Sequence, residues 1–248
     1  MRSDRANPLN IAHRGASAAA PPNTLAAFKK ARELGADGVE FDVRRSADGI
    51  PVVIHDPTVD ATTDGSGCVA DMTLTQLKGL DAGFTFDPAF AGERIPTLEE
   101  VLETVGDELF LNIELKTASV RDDGLAHAVV AQIERHHHDD NVLISSFNPF
   151  SLRSVKRIAP HIPVGILYTS DIPLPLRRAW LACLPPHEAH HPEHTMVNAR
   201  FVARARRRGH QVNTWTVDDP AEMRRLIGLG VDGIITNVPD TLRRILKS

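Results

Sequence analysis

Short apolar runs recur along the chain, and most are followed by a stretch whose apolar positions return with the period of a helix. That alternation puts parallel strands inside and helices outside. The first strand is expected over Leu9 to His13, followed by a helix capped by Asn23 and running through LAAFKKAREL to a stop at Gly35. GVEFDVR makes the second strand, and IPVVIH at 50–55 reads as an extra strand folded back beside it through an Asp48-Gly49 turn. Between His55 and Pro96 the chain is rich in Thr, Asp and Gly and too long for a plain connection, so an insertion or lid is expected over about residues 56–95.

The alternation then resumes. TLEEVLETV reads as helix, FLNIELK as strand, GLAHAVVAQIERH as helix, VLISSF as strand, PFSLRSVKRIA as helix and VGILY as strand. The proline-rich region from Asp171 to Pro192 must supply a further helix and a short strand if the count is to close. NARFVARARRRG, QVNTWTV, AEMRRLIGLG, DGIITN and PDTLRRILKS complete the series. About eight strand-helix units predict an α/β fold, a (β/α)8 barrel forming one domain over 1–248 with a small insertion after the second strand. An open doubly wound sheet would want a GxGxxG turn after its first strand, and the sequence has none.

Composition narrows the classes of function. With 28 basic against 32 acidic residues, a formal charge of −4 gives no general attraction for nucleic acid or an anionic membrane. Cys68 and Cys183 are far apart and outside any CxxC spacing, which disfavours both a disulfide framework and a thiolate metal site. The start, MRSDRANPLNIAHRG, has no leader-like apolar stretch, and no run is long and apolar enough to span a bilayer; the expected location is the cytoplasm.

In a parallel barrel, polar side chains at strand C-termini collect on the catalytic face. His13 and Arg14 end the first strand, Glu40 and Asp42 lie in the second, His55 ends the folded-back strand, and Glu114 and Lys116 end the third. Because strand side chains alternate, Glu40 shares a face with Asp42, and Glu114 with Lys116. Taken singly, each would pass for a salt-bridged strand end. Three carboxylates aimed into one space repel unless a cation lies between them, and an all-oxygen set suits one hard divalent ion, Mg²⁺ or Ca²⁺. His13 and His55 suit proton transfer, and Arg14 and Lys116 supply fixed positive charge for a phosphate.

IAHRGASAAAPPNTLAAF, GADGVEFDVRRSADGIPVVIHDPTVDATTDGSG, NIELK, SSFNP, TWTV and GVDGIITN together resemble the successive signatures of the glycerophosphodiester phosphodiesterase family, in order and over nearly the whole chain. The resemblance implies a TIM barrel with an insertion after the second strand, and a divalent metal on Glu40, Asp42 and Glu114. It implies His13 and His55 as the acid-base pair, Arg14 and Lys116 near the phosphate, and Trp215 lining the substrate pocket. The expected ligand is then a small glycerophosphodiester. Pro22 stands where the family usually has glutamate, and Ala61 where it often has arginine; if those two normally pair, losing both leaves no orphan charge. Other readings of the same site are a lysophospholipase D-like phosphodiesterase, disfavoured by 5% aromatic content and no evident hydrophobic insertion loop, and a degenerate phosphoester-binding barrel.

Three features read as incidental. His187-Glu188-Ala189-His190-His191 fits the zinc-peptidase spacing H-E-x-x-H, but prolines at 185, 186 and 192 deny it the helix that pattern needs, leaving some of these histidines for the barrel mouth. His136-His137-His138 is expected on the surface at a helix end. The cluster from Arg204 to Arg208 is expected on a solvated helix face.

Overall fold

The computed structural model describes residues 7–117, 119, 123–170 and 186–248. Eight parallel strands close on one another: β1 (Leu9–His13), β2 (Gly38–Arg45), β4 (Phe110–Leu115), β5 (Val142–Ser146), β6 (Val164–Tyr168), β7 (Ala189–Pro192), β8 (Gln211–Thr214) and β9 (Gly233–Thr236). Closure comes from β1 pairing with both β9 and β2. The expected extra strand is β3 (Pro51–Val53), antiparallel to the end of β2 through a turn where Gly49 takes φ +88. The helices are α1 (Leu25–Glu33), α2 (Leu74–Gly79), α3 (Leu98–Val105), α4 (Leu125–Arg135), α5 (Pro149–Ile158), α6 (Ala199–Arg207), α7 (Pro220–Leu229) and α8 (Pro239–Leu246). The helix expected within 171–192 lies outside the described residues, whereas the strand expected there is β7.

Strand alternation sorts the side chains into two cores. Val39, Phe41, Val43, Leu111, Ile113 and Ile144 face outward and pack with Phe28, Leu98, Leu102, Val129 and Leu152 of the helices. Ile11, Phe110, Leu143, Ala189 and Ile235 form a small apolar floor. Two residues further along their strands stand His13, Asn112, Ser145, His191 and Asn237, so the same alternation that buries the floor delivers a polar layer above it.

The insertion has its own core of Val52, Ile54, Val59, Val69, Leu77 and Ile95, and carries α2 between two short 3₁₀ turns. It corrects one expectation: Phe84 and Phe86 are 65% and 40% exposed, so the segment does offer apolar side chains to solvent. A second correction concerns the start of α1. Thr24, not Asn23, is the N-cap, accepting from the Ala27 amide at 3.3 Å. Asn23 has φ +61, a left-handed conformation that asparagine tolerates, and it turns its side chain toward β2 instead. A third concerns the histidine run: His137 is exposed as expected, but His138 is buried against Gly106. The arginines of α6 face solvent as expected, and no helix among the described residues is long and apolar enough to cross a membrane.

The turn after β1 fixes the position of His13 and Arg14. Gly15 has φ +81, and a Cβ there would lie 2.6 Å from the Ala27 carbonyl carbon. Gly15→Ala is therefore expected to cost about 2–4 kcal/mol, from backbone strain plus a clash with backbone that cannot rotate away. Urea denaturation checks this, and a loss well under ~1 kcal/mol would mean that the turn yields.

Candidate active site at the barrel mouth

At the C-terminal ends of β1, β2 and β4 the register sets the chemistry. His13 lies beside Glu40, and Asp42 beside Glu114. The carboxylates of Glu40, Asp42 and Glu114 are all buried, and an oxygen of each lies within 4.8 Å of the others. Lys116 Nζ sits among them, 2.7 Å from Glu114 and 3.2 Å from Asp42, and Arg14 Nε is 3.3 Å from Asp42. Arg14 itself has φ +56, and its amide donates to the Glu40 carbonyl at 2.7 Å and the Glu40 carboxylate at 3.3 Å. Backbone strain of this kind persists where surrounding contacts over-determine it.

The electrostatics divide the three acids. Burial works against the charged Asp42, but Lys116, Arg14 and an Asn23 hydrogen bond of 2.9 Å hold it below its usual value. Burial and the neighbouring acids instead push Glu40 well above the ordinary carboxylate range, and burial raises Glu114 to about 7. Two cationic side chains thus do not neutralise three buried acids. An all-oxygen donor set short of positive charge fits a hard divalent cation.

Both histidines are held by one ring nitrogen. Asn237 Nδ2 donates to Asp218 at 2.6 Å, which fixes its amide so that Oδ1 accepts from Ser17 at 2.8 Å and from His13 Nδ1 at 2.7 Å. His13 Nε2 is thereby left toward the acids, 3.9 Å from Glu40. His55 Nδ1 donates to Asp56 at 2.7 Å in the same manner. Burial, reinforced by Arg14, lowers His13 to about 4, and burial likewise lowers His55.

His13, Arg14, Glu40, His55, Glu114 and Lys116 border a cavity of about 240 Å³ whose other walls include Phe147, His191 and Trp215. Trp215 follows β8, donates from its indole to the His191 carbonyl at 2.8 Å and meets Phe147 edge-on at 5.7 Å between centroids. The structure thus brings every sequence-predicted residue to one mouth: His13, Arg14, Glu40, Asp42, His55, Glu114, Lys116 and Trp215. Sequence reasoning missed Asn237, Asp218 and Ser17, which position His13, and misassigned Asn23. The TN at the end of β9 was visible in the sequence, but its contact with His13 spans 224 residues. Pro22 borders a smaller cavity together with Arg14, His55 and Thr62, while Ala61 is exposed.

Glu193 ties the rim after β7, accepting from Thr169 Oγ1 at 2.6 Å and from the Ser170 amide and hydroxyl at 3.0 and 2.9 Å. Those hydrogen bonds hold its carboxyl down to about 2. Its contribution to stability is therefore complete above the ordinary value near 4.5 and fades as the pH falls through about 2. Glu193→Gln is expected to cost about 1–2 kcal/mol at pH 7 and distinctly less at pH 2.5. Denaturation at the two pH values tests it; an equal loss at both would contradict the assignment.

Residues 13–241 match the glycerophosphoryl diester phosphodiesterase family. A glycerophosphodiester phosphodiesterase from Caldanaerobacter subterraneus subsp. tengcongensis is 47% identical over 96% of this chain and 98% of its own. An Oleispira antarctica phosphodiesterase, solved in complex with the product sn-glycerol-3-phosphate, superposes with a TM-score of 0.89 at 33% identity, covering 98% of each chain. A glycerophosphodiester phosphodiesterase from Agrobacterium tumefaciens superposes with a TM-score of 0.79 at 32% identity, covering 94% of this chain and 98% of its own.

Proposed function

Because the chain belongs to the glycerophosphoryl diester phosphodiesterase family, we propose that it hydrolyses glycerophosphodiesters to glycerol 3-phosphate and an alcohol, using His13 and His55 as acid and base and one divalent cation, Mg²⁺ or Ca²⁺, on Glu40, Asp42 and Glu114. The supporting observation is the convergence of three buried carboxylates, short of positive charge, beside two imidazoles each tied through Nδ1. A divalent cation there supplies positive charge to the phosphate oxygens.

The protein's own groups do the rest. Arg14 and Lys116 add fixed charge facing a phosphodiester in the cavity, lowering the repulsion that resists an incoming hydroxyl. One histidine takes the proton of the attacking hydroxyl, from water or from the substrate's own glycerol; the other takes up a proton from solvent on Nε2 as the anionic phosphodiester binds beside it, and passes that proton to the departing alcohol. The Asn237 and Asp56 hydrogen bonds keep Nδ1 protonated, so Nε2 of each ring is the proton-handling atom. Phe147 and Trp215 give the cavity an apolar side for the glycerol carbons or the alcohol.

The test is release of glycerol 3-phosphate from glycerophosphocholine and glycerophosphoethanolamine with Mg²⁺ or Ca²⁺. Turnover supports the reading, and tight binding without turnover would instead indicate a degenerate barrel. A second reading, the same chemistry on a lysophospholipid, draws on exposed Phe84 and Phe86. Faster turnover of lysophosphatidylcholine than of glycerophosphocholine would favour it.

A further inference from the structure

The motif His187-Glu188-x-x-His191 takes no part in the proposed chemistry, because β7 divides it. His191 points into the barrel, where its Nε2 accepts from Asn213 at 3.1 Å. His190, its neighbour on the strand, points outward between Tyr168 and Phe201, with ring centroids at 6.1 and 5.8 Å. There it meets two histidines from other segments. His187 precedes β7, and His210 precedes β8, so the group lies at the N-terminal ends of these strands, the end of the barrel opposite the carboxylate mouth. The ring centroids of His187, His190 and His210 are 4.6 to 4.9 Å apart, and one nitrogen of each lies within 4.8 Å of the others.

The geometry points to a second metal site, in which His187, His190 and His210 hold one borderline transition ion of the zinc class and so clamp β7 to β8. Neutral imidazoles are the preferred ligands of Zn²⁺, Ni²⁺ and Cu²⁺, and poor ones for Mg²⁺ or Ca²⁺. Metal-nitrogen bonds of about 2.0–2.1 Å put tetrahedral neighbours about 3.3–3.4 Å apart, close to the 3.0 Å between His210 Nδ1 and His190 Nε2. The His210 Nδ1–His190 Nε2 contact is the one that a shared ion would replace. Burial, then repulsion by the neighbouring imidazoles, lowers His190 to about 3 and also lowers His210, which leaves their lone pairs available at neutral pH. Arg208 opposes a cation near His210, and Glu188 favours one.

The experiment is calorimetric titration of Zn²⁺ into the full chain saturated with Mg²⁺, with His187→Ala and His210→Ala in parallel. Both residues are half-buried rather than core, and two variants guard against either one misfolding. The wild type is expected to bind one Zn²⁺ that raises its unfolding temperature. Each variant is expected to lose that ion while keeping its Mg²⁺-supported turnover, and Co²⁺ is expected to give a tetrahedral absorption band in the wild type alone. A bound Zn²⁺ that persists in both histidine variants but vanishes in Glu114→Gln belongs to the carboxylate mouth and overturns the proposal. So does a wild type that binds no Zn²⁺.

Discussion

His13→Ala and His55→Ala are each expected to lower kcat on glycerophosphocholine by roughly 10²–10⁴-fold, about 3–5 kcal/mol of barrier, with the fold retained. The loss would not be one of stability. The two side chains are 19% and 36% exposed, and each makes one hydrogen bond at the mouth rather than packing in either core. What alanine removes is an imidazole that lines the cavity with its Nδ1 already engaged, by Asn237 or by Asp56, and its Nε2 left for proton transfer. Circular dichroism with steady-state kinetics reads both properties. Full turnover in either variant would refute that residue's role.

Chelation is the second large effect. With EDTA, turnover is expected to fall to background and return on adding Mg²⁺ or Ca²⁺, because Lys116 and Arg14 leave part of the charge of three buried acids uncompensated. Binding should also stabilise the fold, by about 2.7 kcal/mol when the ion is at 100 times its dissociation constant. Glu114→Gln is expected to abolish both the stabilisation and the activity. Turnover that survives exhaustive chelation would remove the cation from the mechanism.

The barrel was legible because its signals are local. Apolar runs alternate with helical periods, and a spacing of two between Glu40 and Asp42 guarantees one face whatever the register. Strand ends then carried His13, His55, Glu114 and Lys116 to the mouth through topology alone. What escaped depends on contacts between distant segments or on single dihedrals. Asn23 looks like a cap by residue type, yet its left-handed backbone makes it a support for Asp42. Asn237 and Asp218 come from the last turns of the barrel to hold a histidine at its first strand. The cluster of His187, His190 and His210 could not be read as one, because strand alternation splits a motif that looks contiguous and draws its third member from the start of β8.

The most direct measurement is a crystal structure with Mn²⁺ or Ca²⁺ present, using anomalous scattering to locate the ion. A single peak within about 2.0–2.6 Å of oxygens from Glu40, Asp42 and Glu114 is the predicted result. A mouth in which the three carboxylates remain on Lys116 and Arg14, with the ion bound elsewhere, would contradict it.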